Sequence, residues 1–282
     1  MIDSLPLRRR GIVRKAAGGV YDVELDGGDV VSATLRGRLK LEQRTGERVV
    51  PGDRVEVELR TGGATIEMVE QRHSQLVRRA PGFRVGRAKV LVANVDQMVA
   101  VFAAARPEPR LRMLDRFLVL AEANDLPALI VVNKTDLVSA DDVRARFAPY
   151  HDAGYGLLYT SVPRGVGIEA LRERLCGRVS VFTGPSGAGK SSLLNALEPS
   201  LQLRTADLSE AVVKGRHTTV TAELLPLRCG GHVADTPGLR ELGLWGVPLD
   251  ELDFCFPEFR PYLGACRFGG SCTHVPEPGC AV

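Results

Sequence analysis

Nowhere in the 282 residues does an apolar run approach the about 20 residues that a membrane-spanning helix needs. The opening stretch, MIDSLPLRRRGIV, has no apolar segment followed by a small-residue cleavage site. Neither a membrane span nor a secretory signal is therefore expected, and the cytoplasm is the default. Aromatic residues are scarce, and Tyr21 stands alone before Phe83. That scarcity bears on partners, because barrels that grip single strands stack bases on aromatic rings. Cysteine is uneven: Cys176, Cys229 and Cys255 are scattered, while Cys266, Cys272 and Cys280 crowd the end. An intracellular chain should not rely on disulfides, so no bridge is expected and the terminal crowd suggests a metal.

Charge is present in both signs but divided. Residues 1–90 hold 18 Lys plus Arg against 12 Asp plus Glu, whereas residues 91–282 hold 19 against 22. Between Leu76 and Val90 stand Arg78, Arg79, Arg84, Arg87 and Lys89 with no acid at all. A basic run of this kind reads either as a solvated linker or as a contact with a phosphate backbone, and residues 76–88 are taken as a linker.

Residues 8–72 alternate β-rich runs with turns. GIVRKA, VYDVELD, DVVSATL, GDRVEVEL and ATIEMVE are separated by Gly18-Gly19, Asp26-Gly27-Gly28, Pro51-Gly52-Asp53 and Gly62-Gly63. Five such strands suit a small barrel over residues 1–75, with the OB-fold the expected form. Lacking rings, such a barrel would bind structured RNA by Arg and Lys on the backbone; a purely structural barrel is the alternative.

From Lys89 onward, apolar runs alternate with amphipathic helices, the pattern of a parallel sheet wrapped by helices, and residues 89–246 are read as that domain. KVLVANV, QMVAVFAA and PALIVV are strand-like. Pro109 to Asn124 sets Leu111, Leu114, Leu118 and Ala121 at helical spacing.

Within this domain GPSGAGKS, Gly184 to Ser191, follows the apolar run Val179–Thr183 and precedes SSLLNAL. Strand, glycine loop and helix in that order form a phosphate cradle. Gly184, Gly187 and Gly189 free the backbone, the amides of Ala188, Ser192 and their neighbours face the phosphates, Lys190 reaches the β and γ phosphates, and Ser191 places its hydroxyl on Mg²⁺.

NKTD, Asn133 to Asp136, ends the buried strand PALIVV and reads as a guanine box. Asp136 can accept from both N1-H and the exocyclic amine of guanine, whereas adenine offers a donor at neither place. Asn133 supports the base-side loop, and the stem of Lys134 covers the ring. Ser161 is placed for the remaining base loop, although Ser161-Val162 departs from the usual Ser-Ala of GTPases. Downstream, Thr218 and Thr219 lie in a polar switch-like stretch. Asp235 and Gly238 belong to DTPG, where the acid would hold Mg²⁺ through water and the amide would meet the γ-phosphate. A glutamine often follows that glycine and orients the attacking water. Here Leu239 follows, so His217 is the nearest candidate for water positioning, with Lys190 and Thr219 completing the catalytic set.

These boxes are out of the ordinary order. Guanine box and base loop precede phosphate loop, switch and DTPG, so the domain is expected to be circularly permuted, a rearrangement that neighbouring domain termini permit. Residues 247–282 then end in Cys266, Cys272, His274 and Cys280. Three thiolates and one imidazole suit tetrahedral Zn²⁺ in a closed, structural set.

Taken with GDRVEVE, ANVDQ, GRHTT and DTPGL, these motifs resemble the small-ribosomal-subunit-dependent GTPase A family across essentially the whole chain. The resemblance implies an OB-fold barrel, a permuted P-loop GTPase and a zinc domain. It further implies a role in late maturation of the small ribosomal subunit, with rRNA as partner, and subunit-stimulated hydrolysis of GTP to GDP by a monomer. Family members typically continue into C-terminal helices beyond the last cysteine, so the resemblance does not carry over contacts made by such helices. Two other readings remain open: an RNA-binding module in which nucleotide is a structural ligand, and an ATPase or small-molecule kinase, against which NKTD argues.

Overall fold

A computed structural model describes residues 7–45, 48–79, 88–203, 222–235, 247, 251–275 and 277–282. The expected five strands are β1 (Leu7–Ala17), β2 (Val20–Leu25), β3 (Val30–Leu35), β4 (Arg54–Arg60) and β5 (Gly63–Val69). They pair in the cyclic order β1-β2-β3-β5-β4-β1, which closes a barrel with only β3 and β5 parallel. Alternation explains the closure. In β2, Tyr21, Val23 and Leu25 are buried, and they meet Val13, Val55, Val57 and Ile66 inside. Each such side chain contributes roughly 1.5–3 kcal/mol by leaving water. Helix α1 (Gly37–Thr45), between β3 and β4, has no counterpart in the sequence reading.

The basic run expected as a linker is in part a strand. β6 (Gln75–Arg79) pairs antiparallel with β7 (Ala88–Ala93), and fully buried Leu76 and Val92 anchor the ribbon in the main core. The reason is local: an apolar residue at 76 and one at 92 face each other, so the pair is drawn inward. The parallel sheet begins with β8 (Gln97–Ala103), within the strand-like run QMVAVFAA. Asp53, fully buried at the barrel's edge, accepts from Arg72 at 2.7 and 2.9 Å and from the Val50 amide at 2.8 Å. Asn94 donates to the Gly52 carbonyl at 2.9 Å and fixes barrel to ribbon.

The central sheet has the order β10-β9-β8-β11-β13-β12, with β9 (Ala128–Asn133), β10 (Gly156–Tyr159), β11 (Val179–Thr183), β12 (Glu223–Pro226) and β13 (His232–Asp235). All are parallel except β12, which runs antiparallel to β13. Helices cover both faces, so β8 and β11 are buried at every position. Met98, Ala100, Phe102, Ile130 and Val132 face α2 (Leu111–Glu122) and α3 (Ala140–Asp152). Val99, Val101, Leu129 and Val131 face α4 (Ile168–Leu175) and α5 (Lys190–Leu197). At Lys15↔Glu223 the barrel joins this sheet, β1 lying antiparallel beside β12.

Cys176 and Cys229 correct the expectation that no bridge would form: they are disulfide-bonded, with Cα atoms 5.2 Å apart. The end of α4 and the β12–β13 turn are brought together because Gly231 has no side chain; a Cβ there would stand 2.3 Å from the Leu175 carbonyl oxygen. The described residues of 251–282 hold three single-turn 3₁₀ helices, at Asp253–Cys255, Arg260–Tyr262 and Gly269–Ser271, and dock on α2 through an ion pair of Arg260 with Glu122. No helix among the described residues is long and apolar enough to cross a membrane.

Candidate nucleotide site and metal cluster

Strand β11 lies between β8 and β13, and every residue in it is buried. The chain leaves it at Gly184, with φ of 134°, so close to β8 that a Cβ would stand 2.0 Å from the Val101 carbonyl oxygen. Only glycine allows both the dihedral and the approach. Gly189, with φ of 95°, opens α5 where a Cβ would stand 2.3 Å from Asn133 Nδ2. Gly187 lies beside the Pro107 ring. Ala188 and Ser191 are buried and Ser192 is half-buried. Lys190, also buried, donates from Nζ to the carbonyls of Gly184 at 2.7 Å and Pro185 at 2.8 Å. Its ammonium is thus drawn back over the loop, the place a phosphate oxygen needs it.

The guanine box meets this loop directly. Asn133, buried at the end of β9, donates from Nδ2 to the Ala188 carbonyl at 3.0 Å and accepts at Oδ1 from the Thr160 hydroxyl at 3.1 Å. One side chain therefore ties the phosphate loop to both base-side segments. Lys134 takes a left-handed conformation, φ 61°, and its Nζ donates to the Arg106 carbonyl. Asp136 accepts from the Ser161 hydroxyl at 2.5 Å, and that bond holds its carboxyl below the usual carboxylate range. The Ser161 amide is itself used by the Val166 carbonyl at 3.0 Å. Ser161 thus acts on the site through its hydroxyl. Thr160, fully buried, and Arg106 were not singled out from sequence; Thr160 adjoins Ser161 and Arg106 follows β8, but neither belongs to a pattern of its own.

Asp235 is the last residue of β13, in register with Phe182 of β11, so its strand ends beside the phosphate loop. His217, Thr218, Thr219, Gly238 and Leu239 lie outside the described residues.

Near the C-terminus, one ligand atom from each of Cys266, Cys272, His274 and Cys280 lies within 4.8 Å of the others. Cys266 Sγ is 3.6 Å from His274 Nδ1 and 4.0 Å from Cys280 Sγ, and His274 Nδ1 is 3.4 Å from Cys280 Sγ. Tetrahedral ligands about 2.3 Å from one ion stand ~3.8 Å apart, so the set fits a zinc-sized ion. His274 Nε2 lies 3.3 Å from Asp253 Oδ2, an orienting carboxylate 21 residues away that sequence reading missed. The Ala281 amide donates to Cys266 Sγ at 3.3 Å and holds that thiol below its ordinary range. Glu277 accepts from the Thr273 hydroxyl and amide and from the Val275 amide, which closes the loop carrying His274 and brings its carboxyl down to about 2.

A phosphate loop after the central strand, joined by Asn133 to a guanine box that precedes it in the chain, defines a circularly permuted P-loop GTPase. Residues 69–245 match the model of the RsgA GTPase family and residues 10–66 that of the RsgA N-terminal domain. The chain belongs to the RsgA GTPase family. A Gemmatimonas aurantiaca relative named small ribosomal subunit biogenesis GTPase RsgA is 54% identical, with 96% of this chain and 89% of that one covered. One of the same name from Moorella thermoacetica is 44% identical over 96% and 88%. Among solved structures, YjeQ from Thermotoga maritima superposes with a TM-score of 0.79 at 38% identity, covering 98% of this chain and 90% of that one. YloQ, described as a circularly permuted GTPase, does so with 0.73 at 30%, covering 98% and 86%.

Proposed function

We propose that this GTPase binds the maturing small ribosomal subunit through rRNA, hydrolyses Mg·GTP to GDP and phosphate faster when bound, and then leaves. The observation that carries the nucleotide half is Asn133, which holds the guanine box against the phosphate loop. The subunit half is supported by relatives named for small-subunit biogenesis and by the basic first 90 residues. A cleft of about 610 Å³ beside the barrel is lined by Arg38, Arg48 and His73, with one acid, Glu70, and Arg72, whose guanidinium is held by Asp53; its exposed cations suit a phosphate backbone.

Within the site, Asp136 reads guanine N1-H and the amine, Asn133 and Lys134 support the base, and an amide of the loop after Ser161 meets O6. The amides of Gly187, Ala188, Gly189 and Ser192 and the Lys190 ammonium neutralise phosphate charge as it develops. Ser191, Thr219 and Asp235 hold the substrate's Mg²⁺, while Thr218 and Gly238 sense the γ-phosphate. His217 orients water once the subunit has ordered its segment. The Cys266, Cys272, His274 and Cys280 set holds one Zn²⁺, whose contribution is structural cross-linking of a segment without strands or α-helices among its described residues. The protein acts as a cytoplasmic monomer, with residues 1–75, 89–246 and 247–282 as its domains.

Co-sedimentation with small subunits tests this. Binding is expected with a non-hydrolysable GTP analogue and release with GDP; equal binding in both states overturns the cycle and leaves a module whose nucleotide is structural.

A further inference from the structure

The β12–β13 hairpin occupies a sensitive position. Its open end continues into the switch-like stretch before Glu223 and the DTPG box that starts at Asp235, the two segments proposed above to meet the γ-phosphate. Its turn, at the opposite end of the strands, is fastened twice. The Arg228 amide and guanidinium reach the buried Glu198 carboxylate at 3.1 and 3.0 Å, immediately after α5, the helix that begins at Lys190 and Ser191. The Cys176–Cys229 bond ties the same turn to the end of α4. The first fastening is an ion pair that does not depend on redox state; the second does. Cys229 is exposed and Cys176 half-buried, so small thiols and disulfides reach the pair.

We propose that Cys176 and Cys229 form a reversible thiol–disulfide site, through which a low-molecular-weight disulfide clamps this hairpin and slows subunit-stimulated turnover. In a reducing cytoplasm a structural bridge is rare, and an accessible one is a redox-sensing one. The inference rests on the cytoplasmic, subunit-stimulated reading given above. The Cys229 thiolate attacks one sulfur of the small disulfide, expels one thiol and forms a mixed disulfide. The Cys176 thiolate then attacks Cys229 sulfur and expels the second. Two protons and two electrons leave the protein, one S–S bond is broken and one is made. A small dithiol reverses the sequence.

The full chain, with its metal, is equilibrated in mixtures of oxidised and reduced glutathione, and peptides are mapped by mass. A Cys176–Cys229 cross-link that forms and disappears reversibly is expected, with a thermal midpoint about 5–15 °C higher in the oxidised form. Stimulated turnover is expected to fall at least about fivefold on oxidation, while Cys176→Ser and Cys229→Ser variants keep one rate in both buffers. Either variant suffices should the other fold poorly. Thiols that stay free in the oxidised buffer overturn the proposal, as does a cross-link that changes neither midpoint nor hydrogen exchange of the hairpin. Absence of subunit stimulation in every sample would instead count against the functional reading, and the mapping, midpoint and exchange would still decide the redox site.

Discussion

Asp136 and Ser161 show how one hydroxyl sets the ionisation range of the acid proposed to read the base. The Ser161 hydroxyl donates more strongly to the charged carboxylate than to the neutral acid, so Asp136 ionises below the usual carboxylate range. A lowered folded-state value means that the charged form is complete above the ordinary range and is lost only as pH falls through the lowered one. GTP affinity should therefore stay level as a fluorescent guanine nucleotide is titrated from neutral pH down through that range. In Ser161→Ala the acid fall should begin at higher pH; coincident profiles would deny the hydroxyl this role. Asn133 works at the same scale with two bonds from one amide. Truncation to Ala leaves the Ala188 carbonyl and Thr160 hydroxyl without it, and nucleotide affinity should drop by roughly 10- to 100-fold. Isothermal titration reads the loss, and unchanged affinity would mean that the two loops hold themselves.

Among elements, the legible ones were those whose signal is contiguous. GPSGAGKS, NKTD and the terminal cysteines each fit within fifteen residues, and the barrel strands declared themselves by alternation and by glycine turns. What escaped was non-local or masked. Helix α1, GRLKLEQRT, has no apolar stripe to announce it, and the basic run concealed Leu76 as the anchor of β6. Cys176 and Cys229 are 53 residues apart, and their meeting needs the close approach of Gly231 to the end of α4. Asp253 behind His274 is likewise a tertiary partner. The terminal cluster yields an element-scale expectation. About one zinc should co-purify, and a chelator should abolish hydrogen-exchange protection in residues 251–282 while β8, β9 and β11 stay protected. Full protection in metal-free protein would show that the 3₁₀ turns stand without it.

Across the whole molecule, barrel and GTPase share a sheet. Strand β1 lies beside β12, Lys15 pairs with Glu223 at 3.0 Å, and Arg14 donates to the Leu224 carbonyl at 3.2 Å. Glu24 of the barrel meets both Arg14 and His232 of β13, at 3.5 and 3.3 Å. The strand that follows the switch-like stretch is thus held by the element proposed to touch rRNA, and nucleotide state has a short route to RNA affinity. Arg14→Ala should narrow the gap in small-subunit affinity between GTP-analogue and GDP states, measured by co-sedimentation, without lowering nucleotide affinity. A gap as wide as in the unmodified protein would place the coupling elsewhere. Binding in either state should weaken steeply with salt, since phosphate contacts release counterions.

All of this turns on hydrolysis of GTP, and of GTP in preference to ATP, being accelerated by the small subunit. Leu239 supplies no group to orient water, so turnover of the isolated protein is expected to be slow. The most direct measurement is phosphate release from GTP and from ATP, each with and without purified small subunits, for the unmodified chain and for His217→Ala. Strong stimulation with GTP alone, lost in His217→Ala while nucleotide and subunit binding persist, is the expected result. Equal release from ATP and GTP, or a rate indifferent to small subunits, would contradict it.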